Sequence, residues 1–417
     1  MAQSESPRKA ALSIKYKGTA LDAKIQEQAT SFSYTDVASG ASDSLSITLQ
    51  NMEKKWLNEW LPSKGDSITA NIILKNWEKA GDKKTFKCGT FTIDDLSFSG
   101  RPLSAGIGAV SAPASAGFKV TRKSKTWEDV TIKEIASKIA EAAGLKLYYS
   151  AANIKISEVE QSSETDSSFL YGLCEKYGLA MKVYSNKLVI FDEVAYEKKA
   201  KVATINETDM LSWSYNTTID GTYTGVRLKY TNPTNKKTTS VTVGTTERLY
   251  EYSAQVDSKY DAELQAAAKL RNENKKADTM EVKILANPVI VASSVVEIRG
   301  LGKLNGLYYV DKVKHTVGTG YTMSLSLHRF KATAADSAEK AAAGVSGKDQ
   351  MYVVQKGDTL WALAYRFYGS GMKHSIIYEA NKEVIDAEEA ARGMANDGTG
   401  AGHWIFPGTK LIIPAIE

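Results

Sequence analysis

Two long stretches of this chain alternate apolar and polar residues with a period of two, and a block of helical periodicity separates them. From Ala11 to about Gly108, "LSIKYKG" sets Leu12, Ile14 and Tyr16 on one face, and "DSLSITLQ" does the same with Leu45, Ile47 and Leu49. "DSITANIIL" and "KCGTFTIDDLSFSG" continue the pattern, punctuated by Gly, Asp and Ser. Alternation of this kind belongs to half-buried antiparallel strands, and the spacing of the punctuation suits a small barrel or sandwich. The pattern resumes after Val202 with "MLSWSYNTT", "TYTGVRLKYTN" and "TTSVTVG", and ends in "VVEIRG", "GLYYVDKVKHTV" and "YTMSLSLHRF". A helical segment, "SKYDAELQAAAKLRNENKK", interrupts this second region and carries a modest apolar face of Leu264, Ala267, Ala268 and Leu270.

The separating block, Thr126 to Asp192, reads as a compact α+β unit. Thr131 followed by Glu134 is a capping-box signature, Ile132, Ile135 and Ile139 recur at helical spacing, and Gly144 suits the stop. In "TDSSFLYGLCEKYGLAM", Asp166 or Ser167 is the expected cap, and Phe169, Leu170, Leu173, Cys174 and Tyr177 form the stripe. "AMKVYSNKLVIFD" predicts a hairpin turning at Ser185-Asn186.

Composition excludes several classes of function. A net charge of +5, from 53 basic and 48 acidic residues, is small for 417 residues, and the lysines are scattered rather than clustered as in a nucleic-acid-binding face. Neither a signal-peptide run nor a stretch of about 18 apolar residues is present, so synthesis in the cytoplasm and no membrane partner are expected. Cys88 and Cys174 are too few for a disulfide framework or a zinc site, and Cys174 falls in a helix stripe where packing explains it. His315 and His328 stand in strands with no Cys or carboxylate at metal-ligand spacing, which predicts structural roles, no metal and no cofactor. The glycines of "RGLGKLNG" are wrongly spaced for a dinucleotide fingerprint and read as a turn between strands. The pairs Asp94-Asp95 and Asp192-Glu193 read as solvated strand ends, because adjacent strand residues face opposite sides. No catalytic constellation emerges, and the chain is not expected to be an enzyme.

From Lys331 to Gln350 the chain is small, polar and Ala-rich, which marks a tether and a domain boundary. Beyond it, "MYVVQKGDTLWALAYRFYG" places a short strand, a Gly turn, a cap at Asp358 or Thr359 and a helix with Leu360, Leu363, Ala364 and Phe367 inward. This stretch, with "SIIYEANKEVI" and "IFPGTKLIIP" in order behind it, resembles a LysM domain. The resemblance implies a βααβ fold and binding of N-acetylglucosamine-containing glycans such as peptidoglycan. It carries the family's groove onto Gly357, Asp358, Thr359 and Leu360, and onto Asn381, Val384 and Ile385. One departure stands out: "DAEEAARGMANDGTGAGH", Asp386 to His403, occupies the place of a short loop beside that groove. The alternative for the module is protein docking, with Gly357 to Leu360 kept for the turn and cap.

Phrases across the first 330 residues carry a second resemblance. "CGTFTIDDLSFSGRPLSAGIGAVSA", "KSKTWEDVTIKEIASKIAEAAGLKLYY", "EQSSETDSSFLYGLCEKYGLAMKVYSNKLVIFD" and "GLYYVDKVKHTVGTGYTMSLSL" are similar, in order, to the phage late control protein D family of baseplate hubs. The implied class is α+β, mostly β. A first barrel-like β-region occupies residues 1–110, an α+β insert 111–195, a second barrel-like region 196–330, the linker 331–350 and the LysM module 351–417. The resemblance implies a homotrimeric structural hub that joins a hexameric tail tube protein to a trimeric spike protein, in the baseplate of a contractile tail or phage-like particle. Its partners would be those proteins and other baseplate proteins, without nucleic acid, and peptidoglycan through the LysM module. The alternative is a tail-associated peptidoglycan hydrolase that the LysM domain targets to its substrate.

Overall fold

The computed structural model describes residues 7–20, 28–111, 116–231, 238–256, 258–330, 349–354, 358–360, 363–364, 367, 374–392 and 405–414. It divides into two units, Met1–Phe330 and Lys331–Glu417. The Ala-rich tether, apart from its last two residues, lies outside the described residues.

The first unit is built on a 13-stranded sheet. From one end its strands run Met210–Thr217, Asp278–Leu285, Tyr321–His328, Gly306–Val317, Ala29–Val37, Ser44–Gln50, Ser104–Val110, Lys83–Ser99, Ser67–Lys75, Lys9–Tyr16 and Thr19–Ala20, all antiparallel. Val295–Arg299 branches from the near half of Gly306–Val317, and Ala203–Asn206 adds to it in parallel. The mostly-β class, the α+β unit and the C-terminal module are as the sequence implies. The two β-regions, however, are not separate barrels. Antiparallel pairing of Gly306–Val317 with Ala29–Val37 fuses them, and among the described residues the path stays open.

The alternation explains why one face of this sheet is dry. Phe32, Tyr34, Ile47, Ile72 and Phe91 from the first region share a single buried cluster with Val282, Val310, Val313 and Leu325 from the second. The opposite face carries mainly Ser, Thr, Gly and Lys, as in Ser33, Ser46, Gly108, Lys314 and Ser324, which a one-residue slip would exchange for the core.

The α+β unit has its own core. Helix Ile132–Ala142 begins with the expected capping box: Glu134 N–H donates to Thr131 Oγ1 at 3.2 Å, and Thr131 N–H donates to the Glu134 carboxylate at 2.8 Å. Ile132, Ile135 and Ile139 are buried against Phe169, Leu173, Leu188 and Ile190. The second helix, Asp166–Lys176, is capped by Thr165 rather than by Asp166 or Ser167. The Asp166 carboxylate is already taken, by Gln161 Nε2 at 3.0 Å and Lys123 Nζ at 2.5 Å. That latch gives Gln161 and Asp166, just ahead of Phe169 and Leu170, a structural purpose. The hairpin turns at Ser185-Asn186, with φ of 45° and 60°, and its second strand pairs in parallel with Lys146–Ser150.

Three strands of the second β-region leave the main sheet. Gly225–Thr231 pairs with Thr238–Gly244 and, in parallel, with Leu249–Ser253, and helix Lys259–Asn274 covers this small sheet through Ala262 and Ala266. The same helix leans on the α+β unit. A Cβ at Gly178, whose φ is +69°, would stand 3.3 Å from the Ala268 Cβ, so the chain turns there in a conformation suited to glycine.

Buried ions bolt these parts together. Lys182 of the α+β unit donates to Asp36 Oδ1 at 2.5 Å and to the Val37 carbonyl at 2.7 Å, and lies 3.3 Å from Asp43 Oδ1. Asp36 also accepts from the Ala292 N–H at 2.8 Å, so this cluster touches both β-regions and the insert. A second cluster joins Glu193 and Glu197 to Arg271, Lys275 and His328. Two expectations need correction here. Asp192 and Glu193 are not a solvated strand end: Asp192 caps a short helix, Glu193–Glu197, and Glu193 is buried between two cations. Nor is His328 remote from carboxylates, because folding brings Asp311 to 2.8 Å of Nδ1 and Glu197 to 3.1 Å of Nε2.

Candidate functional site

The C-terminal module is a two-stranded antiparallel sheet, Gln350–Val353 with Lys410–Ile413, and a helix His374–Ala391, with further helical residues between Leu360 and Phe367. Val354, Leu360, Leu363, Ala364, Ile377, Ile385, Leu411 and Ile413 form its core. Leu360 and Ile385 share this cluster, so these two of the expected groove residues are brought together from inside the module.

The expected groove residues divide by what they touch. Gly357 lies outside the described residues. Asp358 accepts a hydrogen bond from Tyr352 OH at 2.7 Å, which ties it to the first strand. Thr359 is exposed, and its carbonyl accepts the Leu363 N–H at 2.9 Å, which puts it at the cap position of the helix. Leu360 and Ile385 point inward and are buried. Asn381 is buried too, and its amide clamps helix to strand: Nδ2 donates to the Ile377 and Ile412 carbonyls at 2.7 and 2.6 Å, and Oδ1 accepts the Ile412 N–H at 2.6 Å. Val384 alone among the apolar residues of the set is open to solvent, 44% exposed. Thr359 and Val384 therefore offer outward contacts, whereas Leu360, Asn381 and Ile385 hold the frame.

The segment that departs from the family begins as helix, not loop. Asp386 to Ala391 extend His374–Ala391, because their side chains find partners there. Tyr378 OH donates to Asp386 Oδ1 at 2.9 Å, Arg392 pairs with Glu388 at 3.2 Å, and the Arg392 guanidinium lies 4.0 Å from the Phe406 ring centre. Residues 393–404 lie outside the described set.

In the first unit, a cleft of about 260 Å³ opens where the insert meets the sheet, lined among others by Ser39, Tyr171, Glu193, Lys275 and Asp311. Of its carboxylates, Glu193 is engaged by Arg271 and Lys275, and Asp311 by His328. Burial disfavours a charged His328, but hydrogen bonds to Asp311 and Glu197 outweigh it and push its pKa up to about 9. His315 is the opposite case: buried between Tyr34 and Phe86, it is pushed down to about 4 and stays neutral, bonded to Tyr321 OH at 2.7 Å. Both histidines are held by these side-chain contacts, and no group of metal-ligating side chains occurs among the described residues. Asp94 and Asp95 are exposed, at a bulge in their strand. Cys88 and Cys174 are buried, and burial raises both thiols. No described helix is long and apolar enough to cross a membrane.

Residues 121–328 match a family described as YQBQ-like, and residues 352–387 match the LysM domain. The probable baseplate hub protein of Escherichia phage P2 is 29% identical over 220 residues, which are 51% of this chain and 54% of that protein. That of Escherichia phage 186 is 26% identical over 223 residues, 52% of this chain and 55% of its own. The chain thus spans about half the length of these relatives. Among solved structures, the 43 kDa tail protein of prophage MuSo2 from Shewanella oneidensis superposes with a TM-score of 0.57 at 12% identity, covering 76% of this chain and 98% of its own, a likeness of fold. The similarity to baseplate hubs, and the LysM domain that follows, stand as the sequence implied.

Proposed function

We propose that this chain, a relative of phage baseplate hub proteins that ends in a LysM domain, is a structural hub of a contractile phage tail or phage-like injection particle. It forms a homotrimer, takes the hexameric tail tube on one side and carries the trimeric spike on the other, and its role is mechanical rather than catalytic. The observation that carries this reading is the fused sheet. Both β-regions are parts of one hydrogen-bonded sheet over one core, and ions bolt the insert to it. Such a body transmits force without a hinge between its halves. Two related regions in each of three chains also offer six positions to a hexameric tube through heterologous contacts that close a ring.

The LysM domain adds contact with peptidoglycan, for which Thr359 and Val384 are the outward-facing residues. A second reading for this module, docking to another baseplate protein, is favoured by the use of Leu360, Asn381 and Ile385 in its own frame.

Electron microscopy of assembled particles tests the main claim. A threefold density of this chain between tube and spike is expected, and a chain absent from the particle would refute it. Pull-down on purified peptidoglycan, with Val384→Glu as the control, separates the two LysM readings: binding that the substitution abolishes supports the glycan, and no binding by the native chain supports protein docking. Clearing of wall material in a zymogram would replace the structural reading with the hydrolase.

A further inference from the structure

The core of the first β-region contains a cavity of about 330 Å³. Ile14, Ile47, Ile68 and Ile93 line it from the sheet, and all are members of the main core. Its other wall is the segment "NMEKKWLNEWLP", Asn51 to Pro62, which contributes Trp56, Trp60 and Leu61. Sites that take ligands begin at about 300 Å³ and are lined mainly by apolar and aromatic side chains with a few polar groups. The segment is held in place. Asn51 Oδ1 accepts the Trp56 N–H at 3.1 Å, and Trp56 Nε1 donates to Gln28 Oε1 at 3.0 Å. The Trp60 ring meets that of Trp56 edge-on, with centres 5.7 Å apart.

Two observations say what fits there. The first is that the same segment turns apolar side chains to solvent: Met52 is 67%, Leu61 50% and Leu57 40% exposed. Single exposed apolar residues are ordinary, but a cluster of them beside an apolar cavity marks an interaction site. A small molecule would fill the cavity and leave Met52 and Leu57 wet, whereas a polypeptide covers them. The second is charge. Glu59 alone among the described lining residues is ionised, and it is exposed. Nearby cations are already engaged, Lys17 by Asp66 at 2.9 Å and Lys55 by Glu53 at 2.5 Å. Glu59 itself has no ion-pair partner among the described residues.

We propose that this pocket receives a basic, apolar segment of another protein. One branched aliphatic or aromatic side chain of that segment enters the cavity between Trp56 and the sheet. A Lys or Arg next to it faces Glu59, and its flanks cover Leu57 and Leu61. An anchor of this kind, desolvated in a preformed pocket, carries most of the binding energy, and the charge beside it sets which segments are accepted. The inference goes beyond the hub reading and does not rest on it.

Selection of a displayed library of random short peptides on the full chain tests it. The enriched peptides are expected to share a branched aliphatic or aromatic residue with Lys or Arg beside it. In fluorescence anisotropy they should bind the native chain and weaken about tenfold or more on two variants. Ile107→Trp fills the cavity from the strand side, and Leu61→Arg charges its half-exposed wall, which keeps the test alive should the first variant fail to fold. Glu59→Lys should reverse the preference, so that acidic versions of the same peptides bind better than basic ones. Peptides without this pattern, or with affinities that ignore all three substitutions, overturn the proposal, as does the absence of any enriched peptide. Light scattering supplies a further check: an oligomer of the native chain that Leu61→Arg dissolves would make a second copy the occupant and overturn it too. None of these failures touches the hub reading, which the particle images decide.

Discussion

Replacing Lys182 by methionine removes the cation between Asp36 and Asp43 while keeping most of the side-chain volume. Lys182 is 12% exposed, and the two carboxylates 8% and 0%, so the anions left behind cannot recover their hydration. Removing one partner of a buried ion pair typically costs about 3–5 kcal/mol. A kilocalorie shifts the melting temperature of a domain of roughly 150–250 residues by about 2–4 °C, so a fall of about 6–10 °C is expected for this larger unit. Calorimetry on the native and Lys182→Met chains measures it. The pH dependence checks the cause. Burial, with the nearby Asp36 charge and against the pull of Lys182, pushes Asp43 up to about 6. A folded-state pKa above the ordinary 3.8 means the folded chain takes up a proton first, so the contribution of Asp43 to stability is greatest at low pH and falls as pH rises through about 6. The deficit of Lys182→Met should therefore be large at pH 7.5, where both aspartates repel, and clearly smaller at pH 5. Adding Asp36→Asn and Asp43→Asn should restore most of the loss. A deficit below about 1 kcal/mol, or one equal at the two pH values, would refute the electrostatic account of this junction.

Three further outcomes follow from the same geometry. His328, held at about 9 by Asp311 and Glu197, gives stability that is complete below about pH 6.5 and lost as pH rises through 9, up to about 3 kcal/mol; His328→Gln should flatten the melting temperature between pH 7 and 9.5. Asn381→Ala removes three hydrogen bonds between helix and strand and should destabilise the C-terminal module by roughly 2–4 kcal/mol, read as faster hydrogen exchange confined to residues 349–414. Val384→Ala, at an exposed position, should change that exchange by no more than about 0.5 kcal/mol, so any loss of peptidoglycan binding it causes reports contact rather than folding.

Local physics made much of this protein legible from its sequence. Alternation in "DSLSITLQ" specified that Leu45, Ile47 and Leu49 face a core, because side chains on a strand alternate sides whatever the strand pairs with. The Thr131–Glu134 box and the Ser185-Asn186 turn are likewise settled within a few residues of chain. Helix His374–Ala391 of the LysM module follows from the same short-range rules. Asp36 even left a trace, since it is a charge at the inward position of a strand whose other inward residues are Phe32 and Tyr34.

Tertiary structure alone decided which strands meet. Period two says that Gly225–Thr231 is a strand but not that it leaves the main sheet, and nothing local says that Gly306–Val317 finds Ala29–Val37 nearly 280 residues earlier. Pairing is set by the sum of many weak long-range contacts and by loop closure, which a short window cannot contain. The partners of charged groups are non-local for the same reason: Glu193 reads as a surface residue until Arg271 and Lys275 arrive, and Asn381 reads as a groove residue until Ile412 takes its amide. The sequence determined the kinds of elements and the module at the end. The fold decided that two β-regions are one sheet, and where that sheet runs out of strands.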